Sequence, residues 1–115
     1  MNKKVEISML CDIYGKLLTE KQFEFINDYY NNDLSLSEIA ENNDITRQAV
    51  RDIIKKGERK LFEYEEKLGI MKKNIMQEEQ IANILAQIAK ITSKDSDKEI
   101  ARVLEDVKNK LNCLV

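Results

Sequence analysis

The chain has no proline, no histidine and no tryptophan, and its 115 residues include only three glycines, Gly15, Gly57 and Gly69. With so few residues able to adopt the backbone angles of tight primed turns, a β-rich fold is excluded in favour of helices. The missing histidine removes the commonest general base and the commonest metal ligand together. The two cysteines, Cys11 and Cys113, are too far apart in sequence to form a local metal-binding pair. Cys11 reads as a small buried residue of the first helix and Cys113 as a free thiol near the C-terminus, which suits a reducing cytoplasm. After the basic start at Lys3 and Lys4, the residues Glu6, Asp12 and Lys16 interrupt any apolar run, so no export signal or membrane span is expected. No nucleophile–base pair, phosphate loop or metal constellation is present, and the expectation is a protein that is not an enzyme and takes no cofactor and no metal.

What is present is charge and helical periodicity. Hydrophobic residues make up 43% of the chain and charged residues 35%, a balance that suits helices with one wet face. The net charge of −2 hides a strong segregation. Thr19 to Asp44 carries seven acidic residues against Lys21 alone, a local charge of −6. Ile45 to Lys60 carries Arg47, Arg51, Lys55, Lys56, Arg59 and Lys60 against Asp52 and Glu58, a local charge of +4. One concentrated basic stretch says more about partners than the overall balance.

Apolar spacing predicts a first helix over Lys4 to Leu18, with Val5, Met9, Leu10, Ile13, Tyr14, Leu17 and Leu18 inward. Thr19 is placed to cap a second helix that carries Phe23, Ile26, Tyr29 and Tyr30 inward, ended by Asn31, Asn32 and Asp33. Ser35 and Glu38 form a capping box for a short third helix reaching Glu41 or Asn42. Thr46 caps a fourth, with Val50, Ile53, Ile54, Leu61, Phe62 and Leu68 at helical intervals and Gly69 as its terminal glycine. Gly57 marks a bend within it or a division into two. Beyond Ile70, Ile81, Ile84 or Leu85, Ile88 and Ile91 form one apolar seam. A polar loop over Thr92 to Ser96 and a second capping box at Ser96 and Glu99 precede another seam of Ile100, Leu104, Val107, Leu111 and Leu114. The pair reads as an antiparallel hairpin. The expected organisation is therefore all-α: a helix-turn-helix domain over residues 1–70 and a C-terminal amphipathic helical hairpin over 71–115.

The segment Leu36 to Lys55 fits a helix-turn-helix. Ala40 is small where two helices cross, Ile39, Ile45, Val50 and Ile53 are apolar on the inner face, and Thr46 caps the second helix. The turn position usually given to glycine is Asp44, a residue that tolerates left-handed geometry better than most. In such a unit the second helix enters the major groove of DNA. Arg47, Gln48, Arg51, Asp52 and Lys55 are then expected to face bases, and Ser35, Ser37, Thr46 and Lys56 to meet phosphates. A solvated basic face balancing nearby acids, or a protein partner on the same surface, are the competing readings. The acidic neighbour would repel phosphates if it flanked the same side. Ile81, Leu85, Ile88, Ile100, Leu104, Val107 and Leu111 are expected to serve either as hairpin core or as a homodimer or partner surface.

Five stretches together carry a family resemblance: YGKLLTEKQ (Tyr14–Gln22), the pair Tyr29 and Tyr30, LSLSEIAE (Leu34–Glu41), ITRQAV (Ile45–Val50) and LFEYEEKL (Leu61–Leu68). Over Val5 to Lys73 the chain resembles the YlxM-like family of small bacterial proteins. That resemblance implies a helix-turn-helix similar to region 4 of bacterial sigma factors and a regulatory role tied to the signal recognition particle pathway. The tie rests on gene neighbourhood and no residue here carries it. The expected function is thus DNA binding in regulation, the alternative a protein- or RNA-binding accessory of the signal recognition particle that does not read DNA.

Overall fold

A computed structural model describes residues 2–94 and 98–112, with the backbone alone described at residues 91–94, 99 and 100. Its regular elements are α1 (Lys3–Tyr14), a 3-10 turn (Gly15–Leu17), α2 (Glu20–Tyr30), α3 (Leu36–Asn43), α4 (Arg47–Leu68), α5 (Ile70–Lys94) and α6 (Lys98–Asn112). No strand occurs among the described residues. The chain divides between Met71 and Lys72 into two compact units.

In the first unit α1, α2 and α3 each pack on α4. Side-chain caps set where the helices begin. Asn2 Oδ1 accepts from Lys4 N at 2.7 Å, and Thr19 and Gln22 cap α2 reciprocally at 3.2 and 3.1 Å. Each such cap contributes about 1 kcal/mol. The core draws on one face of every helix: Ile7, Leu10, Cys11 and Tyr14 from α1, Phe25 and Ile26 from α2, Ile39 and Ala40 from α3, and Val50, Ile54 and Leu61 from α4.

That core corrects several sequence expectations. In α1 the inward row runs from Ile7 to Tyr14, leaving Val5 exposed. The first helix stops at Tyr14, and its last turn tightens into the 3-10 segment, where Leu17 is exposed. In α2 the ring of Phe23 is 44% exposed, and Tyr29 is also exposed, while Gln22 and Phe25 lie inside. A polar residue can occupy the interior because Gln22 Oε1 accepts from Thr19 N and from Lys60 Nζ (3.4 Å). In α4 Tyr64 turns inward beside Tyr14 (ring centroids 5.9 Å apart), and Phe62 and Leu68 turn out.

Gly57 does not divide α4, which is continuous through it. It is buried, and a Cβ there would lie 2.5 Å from Ile26 Cδ1 and 3.3 Å from Gln22 Cβ. The missing side chain is what lets α2 approach α4 so closely. Gly69 does end α4, in a left-handed conformation (φ 62°) with its N–H on Glu65 O. Directly beyond it, Tyr14 Oη donates to Glu65 Oε1 (2.8 Å) and accepts from Ile70 N (3.2 Å), and Met71 N donates to the same carboxylate oxygen (2.9 Å). Two N–H groups of the first turn of α5, which have no partner within their own helix, are thereby satisfied.

In the second unit α5 stays helical through Lys94, so the polar loop expected from Thr92 does not start there. The loop's remainder, the box at Ser96, and Cys113 and Leu114 lie outside the described residues.

A leucine at position 57 must displace Ile26 or separate the helices. Gly57→Leu is expected to destabilise the first unit by about 2 kcal/mol, measured by urea unfolding. Buried Tyr14 and half-buried Tyr30 also give the fold an alkaline edge. Burial, then the bond to Glu65, raises the Tyr14 hydroxyl above its ordinary value, and burial with Glu58 does the same for Tyr30. The neutral phenol is thus favoured in the folded chain. Its contribution is complete below the unfolded value of about 10 and is lost as pH rises through the higher folded value. The stability gap between the native chain and Tyr14→Phe, expected near 1 kcal/mol at neutral pH, should close progressively above about pH 10 in melts taken across that range.

Candidate nucleic-acid interface

The turn between α3 and α4 is built from backbone bonds. Asp44 sits in the left-handed region (φ 54°, ψ 41°), Ile45 N donates to Ala40 O at 3.2 Å, and Asp44 N reaches back to Glu41 O at 3.5 Å. This is the paired bonding of a Schellman ending, with Asp44 in the place glycine usually fills. Ile45, half-buried, tucks against the core as the turn closes. Asn43 Nδ2 closes one further carbonyl, Ile39 O, at 2.8 Å. Thr46 Oγ1 then accepts from Ala49 N at 3.0 Å and starts α4.

The face of α4 that leaves this turn follows from its buried row. Val50, Ile54, Gly57 and Leu61 face the core, so Arg47 and Arg51 flank that row and Gln48, Asp52, Lys55, Lys56 and Arg59 lie farther round the helix, all exposed. Arg47, Arg51, Lys55 and Arg59 recur every four residues, about 6 Å apart along the axis. Among the described residues none of these four, nor Lys56 beside them, makes an ion pair within 4.0 Å. Both acids of the same segment are engaged. Asp52 Oδ1 accepts from Gln48 Nε2 at 2.9 Å. Glu58 accepts from the Tyr30 hydroxyl and pairs with Lys3 Nζ at 3.6 Å. Lys60, counted in the basic stretch, belongs to the packed side of α4 and bonds Gln22.

Three acids of the neighbouring stretch, Glu38, Glu41 and Asp44, are exposed on α3 and in the turn before α4, and three others lie on α2. Glu20, Glu24 and Asp28 follow one another at four-residue spacing on α2, opposite Gln22, Phe25 and Ile26, which face the core. Two helices packed through their inner faces point their outer faces apart, so this stripe lies on the side of α2 turned away from α4. Asp33 is paired with Lys4 at 3.0 Å.

The structure brings the five expected base-facing residues onto one exposed surface. Lys56 sits at its edge. Ser35 and Thr46 are exposed but partly committed: the Ser35 hydroxyl accepts from Glu38 N (3.1 Å) and Ser35 N donates to Glu38 (3.2 Å), so each hydroxyl can still donate while the Ser35 amide cannot. Ser37 is exposed. Lys3 was missed by sequence reasoning, which noted it only as part of a basic start. It lines, with Tyr29, Leu36, Arg51, Lys55 and Glu58, a cavity of about 290 Å³ beside the basic stripe.

Comparison with known proteins fits this geometry. A family described as "Putative helix-turn-helix protein, YlxM / p13 like" matches residues 1–112. The chain belongs to that family. It is 44% identical over 109 residues to a UPF0122 protein of Clostridium botulinum (strain Alaska E43 / Type E3), covering 95% of this chain and 99% of the relative. It is 42% identical over 115 residues to one of Acetivibrio thermocellus, covering 100% and 98%. With one of Clostridium kluyveri it shares 50% identity over 111 residues, 95% of each.

Membership of the YlxM/p13-like family extends across the second unit, where the expected partner seam is only partly open. Ile81 and Ile88 are each 8% exposed in the lone chain, Leu85, Leu104 and Leu111 are half-buried, and Val107 is exposed. The Ile100 side chain lies outside what is described. Among the described residues no group of acidic or thiol side chains could hold a metal, and no helix is long and apolar enough to cross a membrane.

Since a left-handed residue other than glycine stores strain, Asp44→Gly is expected to stabilise the chain by about 0.5–1 kcal/mol. Asp44→Val should destabilise it by more than that, with thermal melts of the two variants measuring both.

Proposed function

We propose that this chain binds double-stranded DNA in a regulatory role, with the N-terminal half of α4 in the major groove. The observation that carries the reading is the set of five exposed cations, without ion pairs among the described residues, on the one face of α4 that the core leaves free. A face that merely balanced nearby acids would be expected to pair with them. Here Asp33 is taken by Lys4 and Glu58 by Lys3, while the stripe on α2 faces away. Arg47 and Arg51 lie within two turns of the helix start, where a recognition helix meets base edges, and each can make the bidentate contact that selects guanine. Lys55, Lys56 and Arg59 continue toward the duplex backbone, and Lys3 extends the positive surface from α1.

Selection of genomic fragments by the purified chain at low salt tests this directly. Enrichment of a common sequence is expected, with affinity falling steeply as salt rises, by close to one power of salt per phosphate neutralised. Arg51→Ala should weaken binding to the enriched sequence by about 1–3 kcal/mol and relax the choice at one base pair, whereas Lys56→Ala should weaken all sequences alike. Failure to enrich any fragment would leave the signal recognition particle's RNA or GTPase as the partner to seek by co-purification.

A further inference from the structure

Gln48 and Asp52 stand one turn apart on the exposed face of α4, with Gln48 Nε2 donating to Asp52 Oδ1 at 2.9 Å. A carboxylate on a DNA-facing surface repels phosphates, so Asp52 weakens general attraction and calls for another use. The chemistry of the amide suggests one. Glutamine reads adenine through two atoms at once, its carbonyl accepting from N6 and its amide nitrogen donating to N7. It can do so only if the oxygen and nitrogen are presented in the right sense, and a free amide turns about its last bond between both senses. An ionised aspartate accepts hydrogen bonds and donates none. It can therefore hold the amide by its nitrogen and in no other way. One Nε2 hydrogen is used in the bond to Asp52. The second hydrogen and the whole of Oε1 remain for a base edge, the donor and acceptor that adenine requires.

We infer that Asp52 is a positioning residue that fixes the amide sense of Gln48, and that this pair selects an A·T base pair beside the bases met by Arg47 and Arg51. The inference rests on the DNA-reading proposal and names part of its target. Asp52 contributes specificity at the cost of general affinity.

The test measures binding of the full chain and its variants to two duplexes: the sequence enriched by the native chain, and the same sequence with the Gln48-dependent base pair changed from A·T to G·C. The ratio of the two affinities cancels any uniform effect of removing a charge. The native chain should prefer the A·T duplex by about tenfold, within the range of one bidentate contact. Gln48→Ala should bring the ratio to near one. Asp52→Ala should lower it to within about twofold of the Gln48→Ala value while tightening binding to the G·C duplex, where only the loss of a negative charge acts. Asp52→Glu, which keeps an acceptor that cannot donate one turn along the helix, should restore the native preference. An Asp52→Ala chain that keeps the native ratio overturns the inference, as does an Asp52→Glu chain that behaves like Asp52→Ala, or an enriched sequence in which no base pair depends on Gln48. In each of those cases DNA reading itself stands. A native chain that enriches no sequence overturns DNA reading and this inference together.

Discussion

The close approach of α2 to α4 at Gly57 is the constraint around which the first unit is arranged. With no side chain at Gly57, Ile26 and Gln22 fill the space beside the helix, and α2 becomes one of three helices packed on α4. That contact fixes the rotation of α4 about its own axis: Val50, Ile54 and Leu61 must lie in line with Gly57 on the buried side. Once the rotation is set, the direction of Arg47, Arg51 and Lys55 is no longer free. The exposed face is what remains when the packing face is chosen, and the glycine that chooses it lies beyond the five residues expected to face bases.

The same contact reconciles two opposite charges in adjoining segments. The acidic and basic stretches are neighbours in sequence, yet α2 and α4 meet through inner faces, so Glu20, Glu24 and Asp28 point outward from the far side of that contact. The two acids within the basic stretch itself are held by partners: Glu58 by Lys3 and Tyr30, Asp52 by Gln48. A net charge of −2 is then compatible with a local surface that attracts phosphates.

Features that depend on a few adjacent residues were legible in the sequence. Thr19, Ser35 and Thr46 cap the helices they precede, Asp44 takes the left-handed turn, and Gly69 ends α4. Each acts through bonds to residues at most five positions away, so its signal is local. Helical phase was harder. In α2 aromatic residues fall at positions 23, 25, 29 and 30, all round the helix, and apolar periodicity alone cannot select among them. The choice was made by α4, which accepts Ile26 and Gln22 at Gly57 and leaves Phe23 and Tyr29 outside. A glycine inside a helical pattern reads equally as a break or as a place of contact, and only the partner helix distinguishes the two. Of the candidate site, the exposure of Arg47, Gln48, Arg51, Asp52 and Lys55 was legible because they are what an apolar row leaves over. Lys3 was not, because it reaches Glu58 across 55 positions of chain.

The Tyr14–Glu65 pair shows how far such long-range arrangement extends. Tyr14 is 1% exposed, and a buried phenol without a partner would cost about 1–3 kcal/mol. Glu65 answers it from α4, and the same two side chains receive the N–H groups of Ile70 and Met71. Gly69 turns the chain so that these groups arrive there. One tyrosine of the first helix thus closes the end of α4 and opens α5, using polar atoms that each helix would otherwise leave unsatisfied. Spacing in the sequence marks Tyr14 only as an apolar position, since its hydroxyl has no partner until the chain has folded. The polar end of a core residue is placed by tertiary contact, and so are the hydrogen bonds that hold Glu58 and Gln22. In this chain the apolar rows decide which helices meet, and the few buried polar groups admit one arrangement of them because each must find its partner there.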